Sequence, residues 1–270
     1  MTSPGIPPRP RRRWVWVLVA VATAASFATG FRLQLVPKGG TPPKPVSPVV
    51  YRRDISDLQV QANGGAAVAI RAGQPGQVTV STALSWTFVK PTVSESWHGG
   101  SLWLGVTCPK ADPFGGCQAS IVIIVPVGTP VQAQAGAGTV TVTGLSGPLH
   151  LSATSGLLMA RDVSGPVWAT VTSGSVIARD GLTSQHLSAS AASGQLTLAF
   201  TARPQNLSIG VGAGSAEVTL PPGSRYHVVS SAGQGVVTTA PGISDAGSAQ
   251  VIAVRVAEGA VTIGYPPVSR

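Results

Sequence analysis

Two nearly identical stretches follow one another near the middle of this 270-residue chain. The first runs from Leu145 to Asp162 and the second from Val163 to Asp180, and nine of the eighteen aligned positions are identical. Glycines extend the period more loosely at positions 138, 156, 174, 194 and 214, with spacings of 18, 18, 20 and 20, and Gly233 or Gly235 continues the series. A fixed period of this length is typical of solenoid proteins, whose units bury their apolar faces by stacking.

Apolar and polar residues alternate within each unit, as they do on a strand with one buried face. The predicted buried face of the first strand repeats between the two units as Leu149, Leu151 and Ala153, then Val167, Ala169 and Val171. The intervening positions are mostly small and polar and are predicted to point outward, and His150 and Trp168 occupy the same outward position in the two units. Each unit is therefore predicted to contribute two strands joined at its turn glycine.

Composition agrees with a strand-rich fold, because 33 Gly and 23 Pro accompany abundant β-branched residues and few charged ones. No run between Val49 and the C-terminus has a sustained helical period. The sequence therefore predicts an all-β fold: a single-stranded, β-helix-like β-solenoid with rungs of roughly 18–20 residues, preceded by one N-terminal transmembrane helix.

The helix is predicted from Trp14 to Phe31, eighteen residues without a charge that follow a cluster of arginines. As a helix this segment spans about 27 Å, close to the thickness of a membrane's hydrocarbon core. A cleavable signal peptide, cut near Ala22 to Ala24, is the alternative. The positive-inside rule predicts a single-pass protein of the cell membrane with a cytoplasmic N-terminus and an extracytoplasmic C-terminal domain.

Four segments follow from this prediction. They are a basic cytoplasmic tail (1–13), a transmembrane signal anchor (14–36), a Pro-rich linker (37–48) and an ectodomain (49–265). The net charge of +9 comes largely from the N-terminus, since residues from Pro37 onward carry thirteen Lys or Arg against nine Asp or Glu. No basic groove interleaved with aromatics is visible, so a nucleic-acid partner is not expected. Membrane lipid is the predicted partner of the helix.

Few residues have the spacing that a reactive or metal-binding site requires. Cys108 and Cys117 flank a Pro- and Gly-containing turn and predict a small disulfide, because a zinc site needs further ligands nearby. The four histidines have no metal-ligand spacing and no nucleophile motif is present. We expect neither a cofactor nor a resident metal, and no catalytic residues.

The strongest hint of catalysis is an Arg-Asp pair that repeats as Arg161, Asp162 and Arg179, Asp180. Equivalent corners of adjacent rungs would bring the two carboxylates to about 5 Å, the separation found in retaining glycosidases. The alternative function is therefore a polysaccharide-cleaving β-helix enzyme that uses this corner. The structural interpretation, which we favour, is that each Arg neutralises a neighbouring Asp at a solvated corner.

Trp168 is the most informative aromatic residue. The alternation places it on the outer face, where an exposed indole can stack on a sugar ring or anchor a protein partner. Alternatively, a loop or the N-terminal strands cover the ring, and burial is the interpretation that we favour. Ligand contacts are thus predicted at Trp168, at the equivalent His150 and at the Arg-Asp corner.

Several sequence features together resemble the putative-adhesin family of exported bacterial β-strand-repeat proteins. They are the Trp-containing strands LSWTF and GSLWLGV, the strand and turn IVIIVPVGTPVQA, and the successive SG-x-[LV] units. The resemblance covers roughly Val49 to Tyr265 and implies a β-solenoid ectodomain, commonly beside a membrane segment, without established catalytic residues. We therefore expect a non-enzymatic, membrane-anchored extracytoplasmic protein with an adhesin-like display or binding role, whose partner is a cell-surface glycan or protein.

Overall fold

The structure is a computed structural model that describes residues 44–45, 48–86, 89–108 and 117–267. All the regular elements among these residues are β-strands, which belong to two sheets. We call the 12-stranded sheet sheet 1 and the 10-stranded sheet sheet 2.

The strands of sheet 1 are β1 (Lys44–Pro45), β2 (Val49–Tyr51), β4 (Ala66–Gly73), β5 (Val78–Ser85), β8 (Gln118–Pro126), β10 (Thr139–Thr143), β12 (Leu157–Arg161), β14 (Ser175–Leu182), β16 (Gln195–Phe200), β18 (Ser215–Thr219), β20 (Val236–Thr239) and β22 (Ala260–Gly264). The strands of sheet 2 are β3 (Asp57–Asn63), β6 (Thr92–His98), β7 (Ser101–Thr107), β9 (Val131–Ala135), β11 (Leu149–Ala153), β13 (Val167–Val171), β15 (His186–Ala191), β17 (Asn206–Val211), β19 (His227–Ala232) and β21 (Val251–Val256).

From β9 onward the chain alternates between the two sheets, one strand in each, and strands of the same sheet pair in parallel. The order across sheet 1 is β1, β5, β8, β4, β10, β12, β14, β16, β18, β22, β20, with β2 also paired to β5. The order across sheet 2 is β19, β21, β17, β15, β13, β11, β9, β3, β7, β6.

The core lies between the sheets and follows the predicted alternation. Leu149 pairs with Val167 and Leu151 with Ala169 across β11 and β13, and all four side chains are buried. The buried side chains of both sheets form one continuous hydrophobic cluster. The face assignment within the doubled stretch is therefore confirmed.

Turns from sheet 2 into sheet 1 stack a column of glycines. A Cβ added to Gly156 would lie 2.3 Å from the carbonyl oxygen of Gly138, and one added to Gly174 would lie 2.0 Å from that of Gly156. The column continues through Gly194 and Gly214, and the next member is Gly259, with Gly235 following it. Close backbone approach at these turns thus explains the glycine period.

Antiparallel strands and aromatic side chains lie at the N-terminal end of the fold. Strand β5 pairs antiparallel with β1, β2 and β8, and β6 pairs antiparallel with β7. Trp97 on β6 packs against Tyr51 on β2 at 5.3 Å between ring centroids, while the Arg53 guanidinium lies 4.3 Å from the Trp97 ring centroid. The Trp97 indole nitrogen donates a hydrogen bond to Glu95 at 3.2 Å. These contacts tie strands of the two sheets together.

The predicted arrangement, a single-stranded β-solenoid with rungs of roughly 18–20 residues behind a transmembrane helix, is wrong. The described residues instead form two mixed sheets with antiparallel strands at one end and no helix. Chain order is also broken at both ends, since β4 lies between β8 and β10, and β21 lies between β17 and β19. Periodicity identifies which side chains face the core, but it does not fix which strands exchange hydrogen bonds.

The predicted location, a single-pass protein of the cell membrane, is also contradicted. Among residues 44–45, 48–86, 89–108 and 117–267, no helix is long and apolar enough to cross a membrane. The segments predicted as cytoplasmic tail and signal anchor (1–13 and 14–36) lie outside the described residues. Hydropathy alone could not settle the location, because buried strands and membrane spans are both apolar.

Candidate functional site

A row of outward side chains crosses sheet 2. In register with one another along this row lie Gln59, Gln132, His150, Trp168, Ser188, Ser208, Ala253 and Val229. The side chains increase in size up to Trp168 on β13 and then become small on β15, β17 and β21. Trp168 therefore forms a step on an otherwise low surface.

The two outward aromatic residues of the doubled stretch are in contact. The rings of His150 and Trp168 stack with centroids 4.4 Å apart and an angle of 3° between their planes. Trp168 retains 42% of its accessible surface. The favoured interpretation, that other strands cover this ring, is therefore wrong, whereas its outward orientation is confirmed.

A depression of about 220 Å³ begins at this step, and a second of about 510 Å³ adjoins it from Thr170 onward; both follow β15 and β17. We call them together the trough. Its floor is low because β17 presents Ser208 and Gly210 outward and Gly212 follows directly after the strand. Trp168 and Thr170 of β13 line one side, and Arg255 of β21 lines the other.

Polar groups surround the floor of the trough. The Asn206 amide nitrogen lies 3.2 Å from His186 Nδ1, and it donates a hydrogen bond when that ring nitrogen carries no proton. The Ser190 hydroxyl donates to Thr170 Oγ1 at 3.2 Å. No ion pair or hydrogen bond joins the exposed Arg255 side chain to any residue that the structure describes. The trough thus combines an aromatic wall, hydroxyl and amide groups, and one cation.

The Arg-Asp corner lies at the end of β12 and within the last four residues of β14, in sheet 1 and not in the trough. Asp180 Oδ2 lies 3.5 Å from Arg161 Nε and 3.6 Å from Arg179 Nε, while no ion pair to a described residue is found for Asp162. The corners are not equivalent, because β12 ends at Arg161 whereas β14 continues through a register shift to Leu182. One carboxylate is thus held between two guanidinium groups.

The repeated Asp also has a backbone explanation. Asp162 and Asp180 have φ angles of 50° and 56°, in the left-handed region that few residues other than Gly tolerate. Asp is one of those few, because its short side chain forms local hydrogen bonds. The Asp162 amide donates to the Asp180 carbonyl at 2.8 Å, which stacks the two corners. Turn conformation therefore accounts for a repetition that suggested catalysis.

The two cysteines and Trp103 have roles in the fold and lie outside the trough. Cys108 and Cys117 form a disulfide with their Cα atoms 5.7 Å apart. Trp103 covers Gly105, where an added Cβ would meet the indole at 2.5 Å. Within the described ranges, no group of three or more His, Cys, Asp or Glu side chains is placed to hold a metal ion.

Hydrogen bonding shifts the pKa values of two ionisable groups, Asp57 and Tyr51, that lie outside the trough. Ser101 donates to the Asp57 carboxylate and, with Gln59 and Ser56, holds the pKa of that carboxyl below its usual value. A hydrogen bond with Glu95, reinforced by burial, raises the pKa of Tyr51 to about 12. Both groups join strands near the N-terminal end of the fold.

Sequence patterns did not identify Arg255, Asn206 or His186 as part of the site. When the later units are aligned with the doubled stretch, their strands begin at Leu187 and Leu207. His186 and Asn206 each come one position earlier, so the alignment leaves them out, and only the pairing of β15 with β17 shows that they lie side by side. Arg255 reaches the trough because β21 pairs with β17, 45 residues earlier in the chain by the Asn206 to Val251 register. No periodic signal in the sequence marks that pairing.

No protein-family model matches the chain, and no curated protein matches it. Among solved structures, a putative lipid binding protein from Parabacteroides distasonis has 15% identity and a TM-score of 0.50, with 80% of this chain and 96% of that chain covered. A putative adhesin from Bacteroides fragilis (12% identity, TM-score 0.43) covers 83% of this chain and 97% of its own. A putative cell adhesion protein from Clostridium sporogenes has 12% identity and a TM-score of 0.39, and the match covers 83% of this chain and 100% of that chain. Proteins described as putative adhesins are thus among the similar structures, as the sequence resemblance predicted, and the P. distasonis protein shares the fold.

Proposed function

We propose that this protein is a non-enzymatic binding protein with an adhesin-like role, which recognises a glycan or protein on a cell surface through the outer face of sheet 2. The observation that carries the proposal is the exposed His150–Trp168 stack beside the trough. Tryptophan is enriched among the residues that dominate binding energies, because a large rigid ring buries much area at little entropic cost.

The surface around the stack favours binding over turnover. The residues that line the trough include no carboxylate, so the general acid and nucleophile of a typical glycosidase are missing from it. At the Arg-Asp corner, Asp180 is already engaged by Arg161 and Arg179. Paired carboxylates of this kind contribute charge balance at a solvated turn.

The proposal is tested by binding of the full chain to immobilised glycans and cell-surface proteins, with Trp168→Ala as the variant. Loss of a central anchor residue lowers affinity by about tenfold or more. Val236→Ala is the control, because Val236 is 60% exposed and apolar but lies on β20 of sheet 1. Equal binding by the parent chain and Trp168→Ala would contradict the proposal.

The enzymatic alternative is tested separately with polysaccharide substrates. Asp162→Asn and Asp180→Asn are expected to leave binding unchanged. A hydrolytic or lyase activity of the parent chain that either substitution abolishes would overturn the non-enzymatic assignment.

A further inference from the structure

The shape of the trough restricts its occupant to a narrow, extended molecule. Strands β13, β15, β17 and β21 are consecutive neighbours in sheet 2. Trp168 on β13 and Arg255 on β21 are therefore separated by three strand spacings, roughly 14 Å between their backbones. The floor follows six residues of β15, His186–Ala191, or about 20 Å along the strand. A chain that lies parallel to the strands fits between these two side chains.

The floor offers side-chain groups and not the backbone. Backbone N–H and C=O groups of β15 and β17 are engaged with neighbouring strands on both sides, since each strand pairs with two others. A peptide that binds by strand addition needs a free sheet edge, which the interior of sheet 2 does not provide. Hydroxyl and amide side chains on a flat floor are instead suited to a ligand rich in hydroxyl groups.

The charges that line the trough further restrict the class of ligand that it can bind. Arg255 is the one arginine or lysine that lines either depression, and no Asp or Glu side chain lines them. A guanidinium without a protein partner binds carboxylates through paired hydrogen bonds, for which its planar donors are well arranged. Ala253 is the residue of β21 that lies in the same row as Trp168. Arg255 is two residues further along β21, which places it about 7 Å beyond that row. This offset separates the aromatic contact from the charged one by more than a single sugar ring.

We propose that the trough binds one extended acidic polysaccharide, with a sugar ring stacked on Trp168 and the carboxylate of a nearby sugar bound by Arg255. The inference rests on the proposed function and specifies its ligand class. The apolar C–H face of a sugar covers the indole, while hydroxyl groups of the same chain reach Ser190, Thr170 and Asn206. The absence of carboxylates from the lining avoids repulsion of the ligand's charges.

The test uses the full chain with polygalacturonate, alginate and hyaluronan, each beside its carboxyl-reduced counterpart. The parent chain is expected to bind at least one acidic polymer about tenfold more tightly than its reduced form, since a charged hydrogen-bonded pair is lost. Arg255→Gln is expected to remove that preference. Arg71→Gln is the matched control, because Arg71 is an exposed residue of sheet 1 and its loss changes the net charge equally.

Filling the trough provides a second, independent arm. Gly210→Gln places a long uncharged side chain on the floor without changing Trp168 or Arg255, and its Cβ meets only ordinary contact with Ser190 at 3.4 Å. It is expected to weaken acidic-polymer binding about tenfold or more by blocking the central part of the site. Gly264→Gln is its control on sheet 1, where an added Cβ has nothing within 4 Å.

The outcomes separate the ligand class from the proposed function. If the parent chain binds reduced and acidic polymers equally, or binds none of them, the acidic-polysaccharide inference is overturned. If no acidic polymer binds but Trp168→Ala abolishes binding to a cell-surface protein or a neutral glycan, the proposed binding role survives with another ligand. If polymer binding is insensitive to both Trp168→Ala and Gly210→Gln, the inference and the assignment of this face both fail.

Discussion

The stacked glycine turns lead to a quantitative prediction for Gly174→Ala. A Cβ at this position would lie 2.0 Å from the Gly156 carbonyl oxygen, whereas real Cβ contacts are essentially never below 3.0 Å. The adjacent backbones must therefore separate by about 1 Å. The same Gly156 oxygen accepts a hydrogen bond from the Ser175 amide at 3.1 Å, and the Ser173 amide donates to the Thr154 carbonyl at 2.7 Å.

Both of these hydrogen bonds are lost when the turn opens by that distance. Each bond contributes about 1 kcal/mol. The Ser173 amide belongs to an exposed residue and reaches water, whereas the half-buried Ser175 amide is left without a partner and adds about 1–3 kcal/mol. Replacing Gly by Ala also restricts the unfolded chain, which returns about 0.4–1 kcal/mol of stability. We therefore expect the free energy of unfolding to fall by about 2–5 kcal/mol.

Urea unfolding followed by tryptophan fluorescence and far-ultraviolet circular dichroism measures this change. Gly264→Ala is the control, because an added Cβ there has nothing within 4 Å and its φ lies outside the left-handed region. The control is expected to unfold at the parental midpoint or slightly above it. Equal midpoints for Gly174→Ala and Gly264→Ala would refute the close-approach explanation of the glycine period.

Three further predictions concern backbone conformation, pH and the disulfide. Asp162→Val is expected to cost about 1–2 kcal/mol of unfolding free energy because a β-branched residue resists the left-handed region, whereas Asp162→Asn costs little; equal losses in urea titrations would instead implicate the carboxylate. Because its lowered pKa favours the charged form in the folded state, Asp57 contributes stability above the ordinary carboxyl pKa of 3.8, and this stability is lost as pH falls through the folded pKa. Asp57→Asn is thus expected to be less stable than the parent at pH 7, and the two thermal midpoints are expected to converge in acid; a constant difference would contradict this. Cys108→Ser removes the crosslink to Cys117 across a separation of 9 residues and is expected to cost about 2–3 kcal/mol, so dithiothreitol should destabilise the parent but not the variant.

Sequence patterns predicted local features of this fold well. The alternation in the doubled stretch placed Leu149 and Val167 inside and Trp168 outside, because pleating alone determines which face a residue occupies. The glycine period likewise marked true turns at Gly156 and Gly174, since a backbone that approaches its neighbour this closely excludes any side chain.

Long-range order was not predictable from the same patterns. The glycine that stacks on Gly214 is Gly259, although Gly233 or Gly235 comes next in the sequence. The glycine period points to Gly233 and Gly235, which follow β19, and gives no sign that β21 is the strand that pairs with β17. The exposure of Trp168 depends on the small side chains of its neighbour β15, and the position of Arg255 depends on the pairing of β21 with β17.

The position of β21 and β22 has a consequence for the order in which the strands of this protein can pair. The ribosome makes β19 and β20 first, yet the later strands lie between them and β17 and β18. Ile252 pairs with both Leu207 and Val228, so the later segment occupies the place where the earlier strands would otherwise meet. Because the partners of β19 and β20 in the finished sheets are β21 and β22, neither earlier strand can make its final pairing until the later segment has been made. Arg255 belongs to the same segment, so the proposed ligand site is complete only once β21 has paired with β17.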